Sequence, residues 1–216
     1  MAATETRLLV LGAVRLFEPV NGYQIRRELI SWGVEEWAHI FPGSIYSSLA
    51  TLTKQGHLVR HDVPDGGREV AVYTTTASGR IELDRLFGDA LAGVEPLNPL
   101  PVHTALSMCV LFDREVVATH LETRLGGLEG LLGDLRTKHA TTSDGASPPH
   151  VPRVLELQLA LAELELTWAR GLLDDIRRGE LQFADDPQRW RPADDDPGWQ
   201  MVTDRERYLA HLRTSG

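Results

Sequence analysis

Between Pro42 and Gly56 the chain groups several hydroxyls and one cation on a single short element. In PGSIYSSLATLTKQG, Ile45, Leu49 and Leu52 recur at helical spacing and must turn inward. Ser44, Ser47, Ser48, Thr51 and Lys54 fall off that stripe. Small hydroxyls and an ammonium on a short helix suit hydrogen bonds to phosphate oxygens and base edges. Gly56 stands where a helix of this length should close. Taken alone, such a helix is as compatible with ordinary structure as with nucleic-acid reading, so its neighbours decide.

Those neighbours are elements that would hold it up and extend it. Leu8 to Phe17 is apolar and reads as a buried first helix. Glu18, Pro19, Val20, Asn21 and Gly22 read as a turn. Tyr23 to Trp32 reads as a second helix, with Ile25 and Leu29 inward and Gln24, Arg26, Arg27 and Glu28 outward. A loop through Trp37 and Phe41 leads to the hydroxyl-bearing helix. His57 to Val63 and Glu69 to Thr75 alternate as strands, joined by Pro64-Asp65-Gly66-Gly67, strong turn chemistry. Thr76 is placed to cap a further helix running towards Leu91. Helix, turn, helix, strand, turn, strand is the order of a winged helix-turn-helix. The expected fold is mainly α with a small β-wing: residues 1–95 a winged helix, 96–180 a helical dimerisation domain, 181–216 an acidic tail.

Pro96, Pro99 and Pro101 mark the boundary between the first two segments. Beyond it, Asp113 heads a long helix whose Val117, Leu121, Leu125, Leu128, Leu132 and Leu135 form one stripe. Gly126, Gly127, Gly130 and Gly133 either weaken that helix or permit close packing, and the sequence leaves both open. Thr141 to Pro152 reads as a loop. Arg153 to Arg178 then carries two apolar stripes. Val154, Leu157, Leu161, Leu164 and Trp168 make one; Leu155, Leu159, Ala162, Leu166, Ala169, Leu173 and Ile176 make the other. Glu156, Glu163, Arg170 and Arg177 fill a narrow polar face. An apolar surface this wide is buried on more than one side, so Leu157, Leu161, Leu164 and Trp168 are expected to meet a second copy. Trp190 and Trp199 lie in the tail before a short final helix, Asp204 to Leu212; the tail reads equally as wrapped back or as free.

Composition removes several classes. The net charge of −9 argues against a coat for nonspecific nucleic-acid binding, so contacts to DNA must rest on a local patch. Asp185, Asp186, Asp194, Asp195 and Asp196 read as solvated acid. The single cysteine, Cys109, excludes an internal disulfide, fits a reducing cytoplasm and reads as core. No signal segment or membrane span is expected. There is no Gly-rich phosphate loop, H-E-x-x-H, G-x-S-x-G or paired-cysteine site, and the eight histidines are scattered. Neither a catalytic site nor a metal or other cofactor is expected.

The ordered set of motifs resembles the PadR family of winged-helix transcriptional regulators. Asn21-Gly22-Tyr23-Gln24-Ile25 resembles that family's HGYEI, and Pro42-Gly43-Ser44-Ile45-Tyr46 its PGSIY. Gly67-Arg68-Glu69, Val72-Tyr73, Thr76 and Gly79-Arg80 resemble its wing, second strand and T-x-x-G-R helix start. The resemblance covers about residues 7–92 closely and the helical C-terminal half more loosely. It implies double-stranded operator DNA as partner, a homodimer on an inverted repeat, repression, and release by a small aromatic or drug-like effector. DNA contacts then fall to Tyr23, Gln24, Arg26, Arg27, Ser44, Tyr46, Ser47, Ser48, Thr51, Lys54 and Arg68. For Arg26 and Arg27, beside Glu28, a solvated ion pair is the plainer reading. His103, Met108, Phe112 and Trp168 are candidates to line an effector cavity, against the plainer reading that they fill the core. The competing function is a winged helix that binds protein or ligand without an operator. Three departures from the family pattern bear on affinity: Ser47 replaces a frequent Pro, Lys54 is the only cation on its helix, and Arg68 shares the wing with Asp65 and Glu69.

Overall fold

The structure, a computed structural model, describes residues 2–143, 147–187, 193–196 and 198–214. It divides into two compact units: Met1–Phe87 with Gln188–Gly216, and Gly88–Pro187. The expected acidic tail is therefore split. Its first residues belong to the second unit and its terminal helix to the first.

The first unit is built on α1 (Ala2–Phe17), whose Leu8, Leu9, Val10, Leu11, Ala13 and Val14 are all buried. Around it lie β1 (Val20–Asn21), α2 (Gly22–Ser31), α3 (Val34–Trp37), α4 (Pro42–Lys54), β2 (Leu58–Asp65), β3 (Arg68–Thr75) and α5 (Ala77–Ala92). The expected turn at residues 18–22 contains β1, which pairs with β3 at Val20↔Tyr73. The expected loop through Trp37 contains α3, closed by a hydrogen bond from the Trp37 indole to the Trp32 carbonyl (3.0 Å). The sheet runs β1-β3-β2, antiparallel, and Asp65 pairs with Arg68 across the hairpin end. Gly66 and Gly67, both at positive φ, make that turn (φ 58° and 84°).

Two caps secure the helices of this unit. Asn21 and Gln24 form a reciprocal capping box at the start of α2: each side chain accepts a hydrogen bond from the other's backbone N–H (2.9 and 3.1 Å). At the end of α4, Gly56 takes φ 76°, its N–H donates to the Thr53 carbonyl and the His57 N–H to that of Leu52. The chain then returns past this corner. The Thr76 hydroxyl donates to the Gly56 carbonyl (2.7 Å) and accepts from the Gly79 N–H (2.9 Å), capping α5 as expected. A Cβ at Gly79 would stand 2.0 Å from the His57 carbonyl oxygen, so only glycine fits the contact between α5 and the start of β2. The final helix, α9 (Gly198–Thr214), buries Tyr208 in a cluster with Val63 and Val72.

The second unit contains α6 (Leu100–Leu106), a 3-10 turn at Cys109–Leu111, α7 (Arg114–Ser143) and α8 (His150–Arg178). Residues 141–143, expected to be loop, continue α7, and α8 begins three residues before Arg153. Helices α7 and α8 pack as an antiparallel pair. Leu132, Leu135 and Ala162 form a cluster flanked by Leu155, Leu159 and Leu166, so the second stripe of α8 meets the leucine stripe of α7. The polar face of α8 pairs across the seam: Arg177 with Glu122, Arg170 with Glu129 (2.6 Å) and Glu163 with Arg136 (2.9 Å). Each partner steps by seven residues, the repeat of a helix seam. Beyond the ladder, Glu156 meets His139 (3.5 Å), seven residues on along α8 but only three along α7. Of the α7 glycines, Gly127 admits Val94, whose Cγ2 would lie 2.8 Å from an added Cβ, while Gly126, Gly130 and Gly133 face open space.

One buried cation ties the unit together. Arg124 is fully buried; it pairs with Glu165 of α8 and donates to the carbonyls of Leu91, in the last turn of α5, and Gly93, just past it, both within this unit. Those carbonyls are orphans of a helix terminus, so one guanidinium satisfies both a carboxylate and a helix end. Arg114 plays a similar part nearby. It donates to the Ile176 and Leu181 carbonyls, pairs with Asp186 and lies over the Phe183 ring (5.0 Å). Asp185 accepts from the Arg114 backbone N–H (3.1 Å). Asp186 is thus a half-buried structural partner, not the solvated acid expected, whereas Asp185 stays exposed while accepting that bond. Asp194 and Asp195 are exposed, and Trp190 lies outside the described residues. Trp199 donates its indole N–H to the Ala193 carbonyl (2.7 Å). Cys109 is mostly buried, with its thiol directed at the Ala105 carbonyl, and burial pushes its pKa up to about 12.

Two stability outcomes follow. Gly79→Ala should destabilise by about 3 kcal/mol or more, because the clash is with backbone, and urea unfolding followed by circular dichroism measures it. Arg124→Met should cost about 3–5 kcal/mol by stranding Glu165, and adding Glu165→Leu should recover a large part of that loss in the same assay.

Candidate nucleic-acid interface

Helix α4 presents the face its sequence implies. Ile45, Leu49 and Leu52 are buried; Ser44, Tyr46, Ser47, Thr51 and Lys54 are exposed and Ser48 is half-buried. Pro42 opens the helix, where the missing N–H costs nothing. The Thr51 hydroxyl donates to the Ser47 carbonyl (2.9 Å), which leaves its oxygen as an acceptor. Ser44 and Ser47 are exposed. The surface is therefore one of short polar groups with a single ammonium at its C-terminal end.

Tyr46 connects the two motif pieces. A Cβ at Gly22 would stand 3.0 Å from the Tyr46 ring, so the glycine at the start of α2 is the seat on which that ring rests. The residue remains 44% exposed. Tyr23 and Phe41 are also exposed aromatic rings. Phe41, at the N-cap of α4, escaped the sequence reading because apolar residues are expected inside.

The cations differ in availability. Arg26 is half-buried on α2. Arg27 pairs with Glu28 (2.8 Å), the plainer of its two readings. Arg68 is exposed beside the hairpin turn, and Lys54 is exposed on α4. Gln24 requires a correction. It is buried, its Oε1 is committed to the capping box and its Nε2 donates to Asp204 of α9 (2.8 Å). It orients α2 and has no reach to a ligand. The spacing Asn21-x-x-Gln24, a capping-box signature, could have told this from sequence.

Elsewhere, the α8 positions Leu157, Leu164 and Trp168 are exposed and Leu161 is half-buried; Leu157 and Leu164 are 57% and 67% accessible. The four effector candidates do not share one environment. Met108 and Phe112 are buried, whereas His103 and Trp168 face outward. Among the described residues, no cluster of histidine, cysteine and carboxylate side chains could hold a metal ion, and no helix is long and apolar enough to cross a membrane.

Residues 10–85 match the model of the PadR-like family of transcriptional regulators. No curated protein matches the chain significantly. Among solved structures, PadR of Bacillus subtilis in complex with operator DNA is 22% identical, covering 79% of this chain and 98% of that one, with a TM-score of 0.34. A PadR-like regulator of Bacillus cereus is 19% identical, covering 81% and 99%, with a TM-score of 0.32. PadR of Bacillus subtilis with p-coumaric acid is 20% identical, covering 80% and 97%, with a TM-score of 0.30.

Proposed function

We propose that this chain, whose residues 10–85 match the PadR-like family of transcriptional regulators, is a member of that family and a homodimeric repressor that binds an inverted-repeat operator. The observation that carries the reading is the outer face of α4: exposed Ser44, Tyr46, Ser47, Thr51 and Lys54 above a fully buried inner stripe. A helix so presented enters the major groove, where hydroxyls meet base edges and phosphates. Tyr23, Arg26 and the Tyr46 hydroxyl fix register on the backbone, and Arg68 reaches it from the wing.

The charge supports a dimer. With net charge −9 and few cations per head, one subunit neutralises few phosphates. Two heads on one duplex multiply that contribution, with half-sites about one helical turn apart. The exposed apolar stripe of α8 supports the same reading, since Leu157, Leu164 and Trp168 stand in water unless a second copy covers them. Release by a small aromatic effector is the part that rests on family resemblance; such a ligand must favour the head spacing that does not fit the operator.

Two measurements test this. On its own promoter region, affinity should fall steeply with salt; Lys54→Ala should weaken it and lower the slope of log K against log salt by about one. Tyr46→Phe, which keeps the ring on Gly22, should weaken it by about 1–2 kcal/mol. Binding of the promoter no tighter than of a shuffled duplex would end the operator reading. Separately, Leu157→Glu with Leu164→Glu should give a monomer in sedimentation with helicity unchanged, because neither side chain is buried within its own subunit.

A further inference from the structure

The α9 helix reaches both DNA-facing elements of the first unit. At its inner side Asp204 accepts from Gln24 Nε2 (2.8 Å), and the Tyr208 hydroxyl accepts from Asn21 Nδ2 (3.0 Å), so it grips the capping box that starts α2. Arg207, one turn past Asp204 and next to Tyr208, makes the wing contact. Arg207 pairs with Asp65 (3.1 Å), the last residue of β2 before the Gly66-Gly67 turn, and shares Asp204 (2.9 Å). Its guanidinium lies over the Tyr208 ring (5.5 Å) and its side chain is 50% exposed. The Tyr208 hydroxyl also points to Asp65 (3.5 Å). Asp204 is further held by the Gln200 amide (3.0 Å), and one Arg207 guanidinium nitrogen bridges Asp204 and Asp65.

The wing needs such a partner. Between Asp65 and Glu69 the hairpin end carries two carboxylates and one cation, Arg68. A phosphate approaching that end would meet net negative charge, and like charges at close range oppose association. We propose that Arg207 is a positioning residue of the DNA-binding surface: by neutralising Asp65 it leaves Arg68 free to meet the phosphate backbone, making α9 a third part of the head. The inference rests on the operator reading above. The cationic contribution of the wing thus comes from two places distant in sequence. Asp65 is the group through which Arg207 acts, and this separates the proposal from a purely structural clamp.

The test uses the full-length protein and a labelled duplex of its own promoter region, titrated at several salt concentrations. Arg207→Gln should lower affinity about fivefold to tenfold and reduce the salt slope. Asp65→Asn in that background should restore most of the affinity, Asp65→Asn alone should match or exceed the unmodified protein, and Arg207→Lys should retain binding. Thermal unfolding should move little in Arg207→Gln, since a half-exposed pair contributes little to stability. If Arg207→Gln binds normally, or if its loss is not restored by Asp65→Asn, the proposal is wrong. If the unmodified protein fails to bind the promoter, the operator reading falls and this inference with it.

Discussion

The burial of Ile45, Leu49 and Leu52 against α1 aims the whole candidate interface. A helix has one orientation in which those three positions leave water, and burying each is worth about 2 kcal/mol. Ser44, Ser47, Thr51 and Lys54 are outward because no rotation of α4 could expose them less without exposing that stripe. The site is therefore held by apolar contacts it never shows to a ligand. Gly22 extends the same logic sideways: its missing side chain lets the Tyr46 ring lie against α2, so two helices share one aromatic contact. Caps at Asn21 and Gly56 fix where each helix begins and ends, and so fix which residues face outward.

Much of this was legible in the chain. The inner stripe of α4, the closing Gly56, the wing turn and the Thr76 cap all stand where spacing and turn chemistry put them. Each is a local feature, set within a few residues. What the sequence hid is contact over long separations. Asp204 lies 180 residues from Gln24, and no pattern near either announces the bond. Arg124 reads as an ordinary exposed cation between leucines, because periodicity marks apolar residues as inward and says nothing of a guanidinium that closes a helix end. Asp186 reads as solvent-facing acid for the same reason: its partner, Arg114, is 72 residues away. Periodicity also stops short at helix ends, which is why residues 141–143 read as loop.

The two units differ in how they are held. The first depends on a continuous buried core with α1 at its centre. The second is a helical pair whose leucine seam is bounded by charged partners and crossed by one buried arginine. Buried ionic groups like Arg124 and Glu165 add little net stability over apolar replacements, yet they make wrong packings costly. That fits a unit whose remaining apolar stripe, on the far side of α8, is left for another surface.

The charge ladder between α7 and α8 changes sign partway along. Two glutamates then an arginine on α7 face two arginines then a glutamate on α8. Slide one helix by a single heptad and the apolar stripes still meet, but the charges do not. One direction sets Glu129 against Glu163; the other sets Arg136 against Arg170. Exposed pairs of this kind contribute little to the depth of the energy well, yet here they distinguish it from its nearest neighbours. Alignment is thus written into the helices themselves, and the segment joining them is released from having to measure it. Its length and composition are free to vary without shifting the surface that α8 turns outward.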